Sequence, residues 1–230
     1  VHDSGETESG ELYLAMEYLD AITLRDLLTM HQGPMPVDRA LNIAKQIAEA
    51  LESIHAKVVV HRDLKPTNIM ILSGEHEHRD FVKVLDFGIA KDHHEEYAIT
   101  AVKTVPGTPK YMAPEQIYAG QVTGASDIFV LAILVYEMLS GCHPFDGNTL
   151  PEINHNVMNQ TPPTLTEMAP TLGLTPDFER VLFGALSKKP NERPQSARAF
   201  VDALIESRSA ATRPVQDVSE VTPVNTSPDR

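Results

Sequence analysis

The apolar positions of this chain change period along its length, and each change predicts a different element. The chain opens on Val1-His2-Asp3-Ser4-Gly5-Glu6-Thr7 and passes a glycine-containing turn into Glu11-Leu12-Tyr13-Leu14-Ala15-Met16-Glu17-Tyr18, which predicts two short strands joined as a hairpin. Thr23 reads as a helix N-cap, with Leu24, Leu27 and Leu28 on one face and Gly33-Pro34 closing the segment. From Leu41 to Lys57 the residues Leu41, Ala44, Ile47, Ala48, Leu51 and Ile54 recur at helical spacing, leaving Lys45, Glu49 and Glu52 to solvent. His55, near that helix's C-terminus, is expected as a surface residue compatible with the dipole. Three short runs read as strands: Val58-Val59-Val60, Ile69-Met70-Ile71-Leu72 and Phe81-Val82-Lys83-Val84-Leu85.

Further on, Ser126-Asp127 leads a run from Ile128 to Leu139 that is apolar nearly all round, the pattern of a helix buried on every side. Two amphipathic helices follow. One carries Phe178, Val181, Leu182, Ala185 and Leu186 after Thr175-Pro176; the other carries Phe200, Val201, Leu204 and Ile205 after Ser196. From Ser207 to Arg230 serine, threonine, proline and acid show no apolar period, which predicts a disordered tail or linker.

Composition narrows the classes of function. At 230 residues the chain can hold one sizeable core, and a net charge of −13 argues against a nucleic-acid or anionic-membrane surface as the main partner. The single Cys142 can form no internal disulfide, which fits a reducing, cytoplasmic setting, and it is expected as buried filler. The longest apolar run, Ile128 to Val135, is too short to span a bilayer, so no membrane contact is expected from this segment. Histidines in Ser73–Asp80 and at His93-His94 alternate with glutamates as solvated turns do, and no matching pair at zinc spacing exists elsewhere.

The chemistry gathers in His61-Arg62-Asp63-Leu64-Lys65-Pro66-Thr67-Asn68, followed by Asp86-Phe87-Gly88 and Ala113-Pro114-Glu115. Transfer of a phosphoryl group needs an acceptor for the substrate hydroxyl's proton, positive charge near the moving oxygens, and magnesium ligands. Asp63, Lys65, and the pair Asn68 and Asp86 supply these in turn. The motifs stand 23 positions apart from Asp63 to Asp86 and 29 from Asp86 to Glu115, with strand-like runs around the first two.

Together they resemble the catalytic loop, magnesium loop and activation-segment end of protein kinases. The resemblance implies an α+β, protein-kinase-like fold whose mainly helical large lobe carries two remnant strands of the small lobe. Residues 1–19 would be those strands and the hinge, 20–206 the large lobe, and 207–230 the tail. It further implies ATP and Mg²⁺ as cofactors and protein substrates as partners. Glu17-Tyr18-Leu19 is similar to the hinge that holds adenine, with Met16 behind the pocket and Met70 as its floor. Asp127 resembles the aspartate that holds the catalytic-loop backbone, although Phe129, Val130 and Ala132 replace the family's usual residues around it. Arg193, in Asn191-Glu192-Arg193-Pro194, is expected to pair with Glu115. Arg62 would meet an activation-loop phosphate on Thr100 or Thr104.

Lys65 and Gly107-Thr108 look like Ser/Thr kinases, where the threonine hydroxyl bridges the catalytic aspartate and lysine. Met16-Glu17-Tyr18-Leu19-Asp20 with Thr23-Leu24-Arg25-Asp26-Leu27-Leu28 looks most like the bacterial eukaryotic-like members. The family's glycine-rich loop, strand lysine and helix glutamate have no match, so the resemblance covers about 1–206 and the chain is expected to be a kinase fragment. The alternative is a non-catalytic kinase-like lobe serving as a protein-binding module. Drift in such a lobe would be expected to remove Asp63, Lys65, Asn68 or Asp86, and all four are present.

Overall fold

The computed structural model of the protein describes residues 2–7, 9–73, 80–85 and 109–210. Its centre is helix α4 (Gly124–Ser140), in which every residue from Ser126 to Ser140 is buried. A helix walled in on all sides must have its ends satisfied locally. Thr123 caps the first turn, its hydroxyl accepting the Ala125 N–H while Ser126 Oγ accepts the Thr123 N–H. At the other end Gly141 takes φ +74°, and a Cβ there would stand 2.9 Å from the Gly33 Cα, so both conformation and space require glycine.

Around α4 lie α1 (Leu24–His31), α2 (Val37–His55), α3 (Pro114–Ile117), α5 (Leu150–Asn159), α6 (Leu165–Met168), α7 (Pro176–Ala185) and α8 (Ala197–Ala210). Helix α2 packs on α4 and α8, and α7 packs on both α4 and α8. Thr23 caps α1 with a reciprocal box: its hydroxyl accepts the Asp26 N–H and its own N–H donates to the Asp26 carboxylate. Helix α2 begins four residues before the expected Leu41, because Pro36 pre-sets the chain at the cap and the buried Val37 and Ala40 extend the apolar stripe upstream.

Strands β1 (Asp3–Glu6) and β2 (Leu12–Ala15) pair antiparallel, with Asp3 opposite Ala15 and Glu6 opposite Leu12. A second antiparallel sheet, in spatial order β3 (Ile22–Thr23), β4 (Ile69–Ser73) and β5 (Asp80–Val84), sets Ile22 opposite Ile71 and Met70 opposite Lys83. The alternate residues Ile69 and Ile71 are buried. Arg39 of α2 grips Asp80 through two hydrogen bonds of 2.7 and 2.8 Å, and Gln46 of the same helix bridges Asp80 O and Val82 N, fixing the sheet to α2.

Four expectations are corrected. Val58-Val59-Val60 is a turn that closes α2: the Val58 and Val59 N–H groups donate back to His55 O and Ile54 O, with Val58 at φ +60° and 93% exposed. Ser207 to Ala210 belong to α8, so the tail cannot start at 207; Thr175 Oγ1 donates to Ser207 O there, and residues 211–230 lie outside those described. Cys142 is exposed because it follows the turn at Gly141. His55 is folded inward onto Asp127, its Nε2 donating to Oδ2 at 2.7 Å. No helix among the described residues is long and apolar enough to cross a membrane.

Candidate active site

The loop that carries His61 to Asn68 runs from the end of α2 to β4, and its shape is imposed from below by α4. The Asp127 carboxylate accepts the His61 N–H on Oδ2 at 2.9 Å and the Arg62 N–H on Oδ1 at 3.2 Å. This grip holds Arg62 at φ +64°, a left-handed conformation unfavourable to a side chain with a Cβ. The carbonyl of the same residue, in the next peptide unit, is held by Gln116 Nε2, which donates to Arg62 O at 3.0 Å. His61 is fully buried; its Nε2 donates to Leu85 O at 3.1 Å, and burial holds its pKa below the ordinary imidazole value. The loop is thereby joined to the strand end that leads into Asp86.

At the loop's outer edge Asp63 presents a carboxylate that is 29% exposed, with Lys65 Nζ 2.8 Å from its Oδ2. Asn68, 8% exposed, turns its Nδ2 onto Asp63 O at 2.9 Å and lies 3.4 Å from Oδ2. A short 3₁₀ turn, Pro66–Asn68, sets this spacing. Three of the residues singled out from the sequence therefore meet at one carboxylate. Asp86, Thr100, Thr104 and Thr108 lie outside the described residues. Among those that are described, no three His, Cys, Asp or Glu side chains cluster as a metal site.

In the second sheet Met70 of β4 stands opposite Lys83, whose Nζ reaches Glu17 Oε2 at 2.6 Å. That ammonium holds the exposed Glu17 carboxyl below its usual range. Met16 is 49% exposed and Leu19 is half-buried, so neither belongs to the fully buried core. The contact between Glu17 and Lys83 had no local signal in the sequence, since the two are 66 residues apart.

Glu115 of α3 and Arg193 meet with 1% and 0% exposure, Arg193 Nη1 on Glu115 Oε1, and Ser126 Oγ donates to the same oxygen at 2.6 Å. Burial works to raise the Glu115 pKa, but the guanidinium and the hydroxyl outweigh it and hold the carboxyl ionised below its usual range. Sequence reasoning missed a second cluster here. Tyr111 Oη donates to Glu137 Oε2 at 2.7 Å, and Arg25 of α1 reaches both the Tyr111 oxygen at 2.5 Å and Glu137 at 3.4 Å. Burial raises the pKa of Glu137 and of the Tyr111 phenol alike. An arginine and a glutamate in helices 112 residues apart leave no periodic trace; the one available signal was a charge inside the otherwise apolar α4 run.

A family model for the protein kinase domain matches residues 3–205, and the chain belongs to the protein kinase family. It is 38% identical over 203 residues to the serine/threonine-protein kinase pkn3 of Myxococcus xanthus, which covers 87% of this chain and 37% of that protein. To the serine/threonine-protein kinase PknB of Mycobacterium tuberculosis it is 36% identical over 201 residues, 86% of this chain and 31% of that protein. The chain thus spans about a third of the length of these curated relatives. The crystal structure of the Mycobacterium tuberculosis PknI kinase domain matches with a TM-score of 0.67 at 30% identity, over 90% of this chain and 70% of that chain.

Proposed function

We propose that the protein is an ATP-dependent serine/threonine protein kinase, transferring the γ-phosphate of ATP to hydroxyls of protein substrates. The observation that carries this reading is the convergence of Lys65 and Asn68 on the Asp63 carboxylate, over a loop clamped by Asp127. Asp63 is the group that orients the substrate hydroxyl and takes its proton. Lys65, whose ammonium already stands 2.8 Å from that carboxylate, supplies positive charge beside the transferring oxygens. Because Asn68 directs its Nδ2 at Asp63, its amide oxygen is the end left for a cation, and hard oxygen donors of this kind suit Mg²⁺. Asp86 would be the second ligand. Magnesium, when bound, neutralises charge on the phosphates.

Glu17 and Leu19 would hold the adenine through backbone groups, with Met16 behind it and Met70 beneath. Thr108 would bridge Asp63 and Lys65, and Arg62 would receive a phosphate on Thr100 or Thr104.

The test is single-turnover transfer from radiolabelled ATP, with Mg²⁺, to a generic basic protein, with the parent chain extended upstream by a complete small lobe because these 230 residues contain no glycine-rich loop or strand lysine. Asp63→Asn is expected to lower the rate by roughly 10²–10⁴-fold, the size of a general-base effect. A variant that keeps the parent rate would remove Asp63 from the mechanism. A parent chain that binds partner proteins but transfers no phosphate would support a binding module instead.

A further inference from the structure

We propose that the cavity between α4, the loop at residues 143–146, α5 and α6 binds a flat, uncharged aromatic ligand with one N–H or O–H donor, the chemistry of an indole or a phenol, and that its occupancy is felt at the turn Pro109–Tyr111. The binding site stands independently of the kinase reading; the coupling bears on phosphate transfer only through that reading.

The cavity measures about 350 Å³, toward the small end of ligand sites and suited to one ring system rather than a nucleotide. Its walls are apolar and held in place. Tyr136 of α4 is buried, and its Oη donates to Pro163 O at 3.0 Å, which ties this wall to the connection between α5 and α6. Phe145, equally buried, stacks parallel on Phe129 with ring centroids 5.9 Å apart. Met168 of α6 is the adaptable member of the lining, a thioether that suits an aromatic face.

Charge of either sign is disfavoured. A cation would meet Lys110, whose Nζ already donates to Asp146 Oδ1, and Lys188, whose Nζ lies 3.8 Å from the Phe145 ring centroid. An anion would meet Asp146, whose carboxyl the hydrogen bond from Lys110 holds below its usual range and so ionised at neutral pH. What the lining offers is acceptors. Asp146 Oδ1 takes Lys110 Nζ and the Gly147 N–H, while Oδ2 accepts no hydrogen bond among the described residues. Asn156 of α5 commits its Nδ2 to Asp146 O at 2.7 Å, and its Oδ1 likewise accepts none among the described residues. A single donor on an otherwise apolar ring satisfies such an oxygen while the ring fills the walls.

The same residues hold the turn Pro109–Tyr111. Asp146 grips the Lys110 side chain, His143 Nε2 donates to Lys110 O at 3.0 Å, and the His143 ring meets Tyr111 edge-on at 5.2 Å. A ligand donor on Asp146 shares the carboxylate with Lys110 and loosens that grip.

The 230 residues contain no tryptophan, so indole fluorescence reports the probe alone. N-acetyltryptophanamide is titrated into the chain and followed by emission and by amide NMR. Saturation with a Kd of about 0.1–1 mM is expected, with shifts at Phe145, Asn156 and Met168 and smaller ones at Lys110 and Tyr111. The N1-methylated probe keeps the ring and loses the donor, and is expected to bind roughly five- to tenfold more weakly. Asp146→Ala and Met168→Ala, both at solvent-exposed side chains, should each weaken the parent probe severalfold. Free indole and a short blocked peptide with one central tryptophan separate the sources: tight binding of the peptide assigns the cavity to a side chain of a partner protein, and binding of indole alone to a free small molecule. No saturable shift at the cavity residues by roughly 10 mM probe would overturn the site, as would equal affinity for the N1-methylated probe together with equal affinity in both variants. Cavity shifts that stop short of Lys110 and Tyr111 would overturn the coupling to the turn.

Discussion

The Arg193 guanidinium and the Glu115 carboxylate, 78 residues apart in sequence, form a bidentate pair with Nη1–Oε1 at 2.7 Å and Nη2–Oε2 at 2.9 Å, both side chains essentially sealed from water. Arg193 is satisfied further by Ala125 O and Ser187 O, so the pair is a corner post between α3, α4 and the loop before α8. Removing one partner strands the other charge in a site that cannot hydrate it. Arg193→Ala is expected to cost about 3–5 kcal/mol in urea denaturation, Glu115→Ala about as much, and the double variant less than the two together. Strictly additive losses would show that the two charges are not coupled.

Val58 offers the opposite sign. It sits at the position just past α2 where the backbone turns left-handed, with its N–H returned to His55 O and that of Val59 to Ile54 O. A β-branched side chain there is strained by about 1–2 kcal/mol, and glycine would lose part of that gain to its freer unfolded state. Val58→Gly should stabilise the protein by roughly 0.5–1 kcal/mol, read as a higher urea midpoint at unchanged slope. Since Val58 is 93% exposed, little packing is lost in exchange. A lower midpoint would mean that the turn is not under strain.

His143 sets an acid limit. Burial, with the Lys110 charge nearby, pushes its pKa down to about 4, while its Nε2 donates to Lys110 O and its Nδ1 accepts the Phe145 N–H. The folded state therefore favours the neutral ring. Its contribution is present above the ordinary imidazole pKa near 6.5 and is lost as pH falls through about 4, by an amount on the order of 2–3 kcal/mol. His61, also depressed by burial, acts in the same direction. Stability measured by urea denaturation between pH 7 and 4 should fall, and His143→Asn should flatten the slope; an unchanged slope would place the titration elsewhere.

Nucleotide affinity should be low in the 230 residues by themselves. They contain no glycine-rich loop to cover the phosphates, and Leu12, 86% exposed, and Met16, 49% exposed, leave an uncovered apolar face on the hairpin. Calorimetry is expected to give a Kd for MgATP above roughly 1 mM, beyond the ordinary range of substrate constants. Micromolar binding would show that the hinge and loop suffice. Leu12→Lys should reduce concentration-dependent light scattering if that face drives self-association.

Elements whose information is local could be read from the sequence. Helices α1, α4, α7 and α8 follow from cap residues and apolar period, and β4 and β5 from short β-branched runs between turns. Val58-Val59-Val60 misled because three β-branched residues look the same whether they extend a strand or are forced through a helix-closing turn; what decides is the pair of backbone bonds back to α2. His55 was misplaced because its partner lies 72 residues downstream, and Arg25 went unnoticed for the same reason. The Asp63, Lys65 and Asn68 group was legible because all three fall within one loop. Charged contacts between distant helices have no period, and only the fold reveals them.

Ser126 and Asp127 are consecutive residues on the buried first turn of α4, yet they face different clients: Ser126 bonds Glu115, next to the segment that would receive substrate, and Asp127 bonds the backbone that carries Asp63. One turn of helix is thus the common support of the Glu115 segment and of the loop that carries Asp63. A slide of α4 along its axis moves acceptor and platform in step and preserves the gap between them, whereas a rotation about the axis shifts the two unequally. The site should therefore tolerate core substitutions that let α4 translate far better than ones that twist it, whatever their equal cost in stability.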